Sequence, residues 1–125
     1  SPPQQMYGEP FDADHYRAAV AHEVAHAVVH HNVVVEPLSV APQEYLAHST
    51  QLSALPAARR QAIIDRVDVE PWLPGDAISD IYMAIEPTGF AVKSYVHLTT
   101  MADPDGFVQQ LINAKWFYVY VPDGP

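Results

Sequence analysis

The sequence predicts one mainly α-helical (α+β) domain with one or two short strands. The chain has 125 residues, which is the length of one compact domain rather than two. Hydrophobic residues make up 49% of the chain and charged residues 17%, values typical of a globular protein. Prolines and capping side chains divide most of the chain into stretches of helical length. We therefore treat residues 1–125 as a single domain.

The first elements are an irregular lead-in and a long helix. Residues 1–11 are rich in proline and predict no regular structure. Asp12 or Asp14 can cap a helix that continues to about residue 31, where Asn32 is a plausible left-handed stop. This helix is apolar around most of its circumference, which predicts a central, buried position in the fold.

The rest of the chain predicts a helical array. Residues 33–40 suggest a short strand, which Pro37 confines to a sheet edge or a bulge. Asp76 is expected to cap the fourth helix, and the Pro-Thr-Gly stretch at 87–89 to end it. The predicted helices after the first cover residues 43–55, 57–67, 76–86, 90–101 and 103–115. Residues 116–121 (WFYVYV) are β-rich.

Composition and charge exclude several classes of function. Fifteen acidic residues against six basic ones give a formal charge of −9, which would repel nucleic acid and anionic lipid. No apolar run is long enough for membrane insertion. The chain has no cysteine, so any metal must bind through nitrogen and oxygen. Because the chain starts at Ser1 without a Met, we expect that a preceding segment was removed. Such processing would fit a secreted or periplasmic protein, and the compartment stays open.

Four of the seven histidines fall between His15 and His30, and two of them form the motif HEVAH at residues 22–26. On a helix, His22 and His26 lie one turn apart and about 40° apart around the axis, so both imidazoles can meet one metal ion. Glu23 lies about 100° from His22, near enough to take a proton from a water molecule beside the metal. This is the geometry of metal-assisted hydrolysis.

A zinc hydrolase needs a third protein ligand. His15 and His30 share the helix face but lie about 10 and 12 Å along the axis from His22, too far for ligands of one ion. Glu44 is the better candidate, because it opens the second helix after a chain reversal. His48, one turn later, is the reserve ligand.

These residues resemble the gluzincin metallopeptidases, which include the thermolysin-like and aminopeptidase N-like enzymes. In that group, HExxH is followed at a similar interval by a glutamate ligand on a second helix. Here seventeen residues separate His26 from Glu44, which lies in the sequence QEYLA at 43–47. The resemblance implies a zincin-like helical core around the HExxH helix, with His22, His26 and Glu44 as ligands of Zn²⁺ and Glu23 as general base.

The same resemblance implies a zinc-dependent metallopeptidase-like hydrolase that acts on a peptide or protein substrate. Gluzincins use a downstream His or Tyr to stabilise the oxyanion, which makes Tyr95 and His97 candidates, with core packing as the alternative role. A sheet usually precedes the HExxH helix, but only about a dozen residues do so here. We therefore expect a partner or a removed N-terminal segment to complete the sheet.

Other interpretations of the same residues stay open. The HEVAH helix also resembles that of membrane-anchored AAA-type zinc proteases, in which case Asp76 or Asp80 would replace Glu44 as third ligand. A second interpretation is a non-catalytic metal-binding or partner-binding module, such as a degenerate protease. A third, metal-free interpretation treats the histidines as a pH-sensitive helix face.

Overall fold

The computed structural model describes residues 5–32, 40–74 and 76–112, apart from the side chains of residues 32, 110 and 112. This part of the chain is mainly helical with one small sheet, as the sequence predicts. The elements in chain order are β1 (Gln5–Met6), β2 (Glu9–Pro10), α1 (Ala13–Asn32), α2 (Val40–Ser53), α3 (Ala57–Val67), α4 (Asp80–Ile85), α5 (Pro87–Thr100) and α6 (Pro104–Ile112). None of these helices is long and apolar enough to cross a membrane.

The expected irregular lead-in is wrong for residues 5–10, which form an antiparallel hairpin. Met6 pairs with Glu9 across a two-residue turn. Both turn residues have positive φ, 55° at Tyr7 and 79° at Gly8, as the right-handed twist of a tight hairpin requires. The pattern was hard to read from sequence because Tyr is an unusual residue for the first of these two positions.

Helices α1 and α2 pack against each other and position the candidate site. Asp12, one of the two predicted caps, caps α1: its Oδ1 accepts a hydrogen bond from the backbone N–H of His15 at 3.2 Å. Helix α2 begins at Val40, three residues earlier than expected. Helix α5 packs on the other side of α2, so α2 is the central helix of the described structure.

The core consists of two neighbouring apolar clusters. The first cluster is built around Tyr45, Trp72 and Phe90. The buried indole of Trp72 has a hydrogen-bond partner, since its Nε1 donates to Ser94 Oγ at 3.1 Å. Leu52, Ile63 and Val92 anchor the second, which also buries the Tyr7 ring of the hairpin. The hairpin is therefore part of the core and not a loose lead-in.

The expected central, buried position of α1 holds for one of its faces among the described residues. That face packs through Ala18 and Val29, which are 0% and 6% exposed. The opposite face exposes Val20, Val24 and Val28 at 47%, 54% and 55%. An apolar circumference predicts burial only if neighbours surround the helix, and the described residues supply them on one side.

The start of α4 and the junction between α4 and α5 also differ from the prediction. Helix α4 is capped by Ser79, whose Oγ accepts from the N–H of Tyr82, and not by Asp76. Pro87 was expected to help end this helix, but it occupies the first turn of α5, where its missing N–H costs nothing. Helix α3 matches its predicted bounds. The expected strands at 33–40 and 116–121 lie outside the described residues, except Val40, which is helical.

Arginines of α3 fasten the hairpin and the start of α1 to the domain. Arg59 contacts Glu9 at 2.9 Å, Asp12 at 2.6 Å and Asp14 at 3.1 Å. Arg66 donates to the backbone oxygen of Tyr7. The arginines therefore hold the Tyr7 turn in a fixed place beside α1.

We expect Gly8→Ala to lower the free energy of unfolding by about 1–2 kcal/mol, because an L-residue with a β-carbon is strained at positive φ. Gly8→Asn should cost less, because Asn tolerates this region. Both side chains place a β-carbon about 3.0 Å from Nη2 of Arg66, so their difference isolates the backbone preference. Urea unfolding of the three proteins checks the order Gly, Asn, Ala. Equal stability of the two variants would contradict a φ-dependent turn.

Candidate metal centre

Two helices bring the predicted ligands together. His22 and His26 lie one turn apart on α1, and Glu44 faces them from α2. One imidazole or carboxylate atom from each of these three residues lies within 4.8 Å of the other two. All three side chains are partly buried. The structure thus places together the three residues that the sequence singled out.

The separations within this group are those of ion pairs and hydrogen bonds, and they are also short enough for the three side chains to reach one metal ion. His26 Nε2 lies 2.7 Å from Glu44 Oε1, and His22 Nε2 lies 3.3 Å from Glu44 Oε2. The two Nε2 atoms are 3.2 Å apart. Ligands about 2.0–2.1 Å from a tetrahedral zinc ion lie roughly 3.3 Å from one another. Two imidazole nitrogens and a carboxylate are also donors that zinc accepts, so the residues present fit this ion.

Gln51 orients His22, and sequence analysis missed it. Gln51 Oε1 lies 2.7 Å from His22 Nδ1, where the amide oxygen accepts from an N–H. A proton fixed on Nδ1 leaves the lone pair of Nε2 free to bind a metal. Gln51 lies seven residues after Glu44, on the same face of α2, and that spacing is the only sequence signal that could have identified it.

His48 adds a third imidazole to the cluster. Its Nε2 lies 3.3 Å from Glu44 Oε2, and its ring stands edge-on to His22 at 4.7 Å between centroids. The hydroxyl of Tyr7 lies 2.7 Å from His48 Nδ1. If the hydroxyl donates, the His48 proton sits on Nε2 and bonds Glu44; the other tautomer frees Nε2 for a metal. The hairpin therefore reaches the site through Tyr7, which sequence analysis also missed.

The metal-free cluster is a network of ion pairs. Burial alone would raise the pKa of Glu44, but the hydrogen bonds from His22 and His48 outweigh it and hold that pKa far below its usual range. Burial alone would lower the pKa of His22, whereas its contacts with Glu44 and Gln51 raise that pKa above 6.5. The group at the centre of the cluster is thus an ionised carboxylate, which is the form that binds metal.

Glu23 lies outside this cluster, on an exposed part of α1. Its position about 100° around the helix from His22 points it to a neighbouring face. There it borders an open apolar groove of about 460 Å³. The other residues that line this groove are Phe11, Tyr16, Ala19, Val20, Val24 and Ala27. A carboxylate beside an apolar groove and next to the cluster is accessible to a bound molecule.

Tyr95 and His97, the candidates for oxyanion stabilisation, have other surroundings. His97 is buried in the core, where its Nδ1 lies 2.6 Å from the hydroxyl of Tyr45 and its ring packs on Phe107. Burial lowers the pKa of His97 below 6.5. Tyr95 lies under the guanidinium of Arg60. These contacts favour the packing role over the catalytic one for both residues.

The remaining candidate ligands also have other roles. His15, which lies too far along α1 to share an ion with His22, is fully buried, with Nε2 2.7 Å from Glu9 Oε1. Asp80 Oδ1 accepts from the N–H of Ala41 and so caps the start of α2. Asp76 Oδ2 accepts from the N–H of Leu73 in the preceding loop. The geometry therefore favours Glu44 over either aspartate as the residue that faces HEVAH.

Fold and site together define a small, mainly helical protein with a His-His-Glu group between two adjoining helices. The chain belongs to the DUF6639 family, a family of unknown function whose model matches residues 1–120. Comparison with curated proteins and with solved structures gives no match. Function therefore has to be argued from the site itself.

We expect His97 to make the stability of the protein depend on pH. Its pKa is lower in the folded than in the unfolded state, so its contribution is fully present above about pH 6.5 and is lost as the pH falls below that value. His97→Asn keeps an acceptor for Tyr45 but does not titrate. The drop in melting temperature from pH 7.5 to pH 5 should therefore be smaller in this variant.

The matched control for this measurement is His31→Asn, which changes an exposed histidine at the end of α1. It should keep the pH dependence of the unchanged protein. If His97→Asn and His31→Asn behave alike, burial of His97 does not contribute to acid sensitivity.

Proposed function

We propose that this protein is a zinc-dependent hydrolase of the metallopeptidase type that acts on peptide or protein substrates. One observation carries the proposal: donor atoms of His22, His26 and Glu44 converge from two helices to within 4.8 Å of one another, and the exposed Glu23 lies on the adjacent helix face. The HExxH spacing alone is a sequence pattern. Its combination with the carboxylate of Glu44, which faces it from α2, supports the proposed hydrolase.

In this proposal, His22, His26 and Glu44 hold Zn²⁺. Three protein ligands are the number typical of catalytic rather than structural zinc sites. When bound, zinc supplies a Lewis acid that polarises the scissile carbonyl and lowers the pKa of water. Gln51 fixes the His22 ring so that its Nε2 lone pair faces the other ligands.

Glu23 acts as the general base. Its carboxylate accepts a proton from the attacking water and then donates it to the leaving amine. Exposure suits this role, because a ligand would face the cluster whereas a base must reach the substrate. The apolar groove beside Glu23 gives a substrate side chain a place to bind. Tyr95 and His97 have no role in this mechanism, because His97 contacts Tyr45 and Phe107 in the core and Tyr95 contacts Arg60.

His48 favours a second candidate function, a non-catalytic metal-binding module. In the tautomer with the proton on Nδ1, His48 Nε2 becomes a fourth donor 3.3 Å from Glu44 Oε2. Four protein ligands would close the coordination sphere, as in structural zinc sites. Donation from the Tyr7 hydroxyl to His48 Nδ1 would oppose this tautomer, and the site would then keep three ligands, as the hydrolase requires.

The first test concerns the metal. Protein purified without chelators should bind one zinc ion per chain, and Glu44→Gln should weaken zinc affinity at least tenfold, because a neutral amide replaces an anionic ligand. Elemental analysis and competition with a chromogenic chelator measure both. Glu86→Gln, at an exposed position between α4 and α5, is the matched control and should bind zinc normally.

Other outcomes would move the ligand assignment. Unchanged affinity in Glu44→Gln with a loss in Asp80→Asn would assign the third position to Asp80. A tenfold loss in both Glu44→Gln and His48→Ala would support the closed, four-ligand site. Absence of zinc and of any uptake on titration would reject a metal centre altogether.

The second test separates chemistry from binding. Glu23→Gln should keep zinc but lose nearly all hydrolysis of an unfolded polypeptide, since an amide cannot accept the proton of water; losses of general-base catalysis are about 10²–10⁴-fold. Cleavage is compared with that of the unchanged protein at equal zinc occupancy. If the zinc-loaded protein itself cleaves nothing, or Glu23→Gln cleaves equally well, the metal-binding module replaces the hydrolase.

A further inference from the structure

Helix α1 has an apolar face that no described residue covers. Val20, Val24 and Val28 follow one another at intervals of four residues, and each is about half exposed. They lie roughly 160–240° around the helix from His22, away from the ligand face. Contiguous exposed apolar surface of this kind is uncommon unless something binds to it.

A groove runs along this face. It lies between α1 and the helices α2, α5 and α6, and its volume is about 920 Å³. Val20, Val24 and Val28 form one wall, and Leu46, Leu98 and Val108 contribute to the other. This groove is separate from the one beside Glu23, although Val20 and Val24 border both. Its lining is suited to large apolar side chains.

The sequence holds a segment of matching chemistry shortly after α6. Val108 of α6 lines the groove, and α6 ends at Ile112. Four residues after Ile112 the sequence WFYVYV begins; it covers residues 116–121, with six apolar or aromatic residues and no charge. Four residues of extended chain reach about 13 Å, and six residues span about 20 Å as a strand. The valine stripe extends about 12 Å along α1, so the segment is long enough to cover it.

We propose that residues 116–121 bind in this groove and cover the Val20–Val24–Val28 stripe. A second copy of the chain is the competing occupant, but two considerations favour the segment. Its short tether gives it an effective concentration in the millimolar range, above that of another molecule in solution. The formal charge of −9 also makes two copies repel each other.

Disulfide formation between introduced cysteines tests the proposal, because the chain has no cysteine of its own. Val24→Cys is combined with one cysteine at a time at positions 116 to 121 of the full-length chain. A disulfide needs Cα atoms within about 7 Å, so bound segments should react at some positions and not at others. We expect monomeric, cross-linked protein at least roughly tenfold faster at the best positions than in the control.

The control places the first cysteine at Ile81, an exposed apolar residue of α4 that lines neither groove. It measures random collisions of a tethered segment with a helix surface. Equal rates for the Val24 and Ile81 series would overturn the proposal. Covalent dimers of the single variant Val24→Cys, with no monomeric cross-link in the double variants, would overturn it in favour of a second copy. Neither result depends on zinc or on hydrolysis, so this proposal can fail while the proposed function holds.

Discussion

The contact between α1 and α2 is the constraint on which the site depends, because it brings polar groups to a helix interface that would otherwise be apolar. A buried polar group without a partner costs about 1–3 kcal/mol, and this interface holds three imidazoles, a carboxylate and an amide. Most of these groups find partners in one another: Glu44 binds the histidines of both helices, and Gln51 Oε1 accepts from His22. Gln51 Nε2 is buried without a partner among the described residues. Packing of the two helices thus brings these side chains together.

In the proposed function, these contacts also make protons and metal compete for the same side chains. Pairing with His22 and His48 lowers the pKa of Glu44, and the ionised Glu44 in turn favours a proton on His22. A metal ion must displace that proton in order to bind. The metal-free and the metal-bound forms can therefore share one backbone geometry, since the same atoms converge in both. A site of this kind is preorganised, which lowers the cost of binding.

Sequence reasoning succeeded where the signal was local and failed where it was tertiary. The HEVAH spacing identified His22 and His26 because a helix fixes which residues share a face, and the chain reversal before Glu44 identified the facing helix. Tyr7 carried no such signal, because it enters from a hairpin 41 residues away from His48. Gln51 is an ordinary polar residue of α2, and its spacing from Glu44 alone did not identify it. The extent of α1 was predicted within about a residue, but its burial was not, because burial depends on neighbours that no local pattern names.

The bond between Tyr7 and His48 links the order of the N-terminal hairpin to the chemistry of the centre. Short hairpins are marginally stable alone, and this one is held by Arg59, Arg66 and the burial of the Tyr7 ring. If the hairpin detaches, His48 loses its hydrogen bond to the Tyr7 hydroxyl. The His48 ring beside Glu44 is then no longer held in one orientation by that bond. Because linkage is reciprocal, a ligand that prefers one tautomer of His48 also changes how often the hairpin opens. Opening of the hairpin at residues 5–10 would thus be coupled to the tautomer of His48.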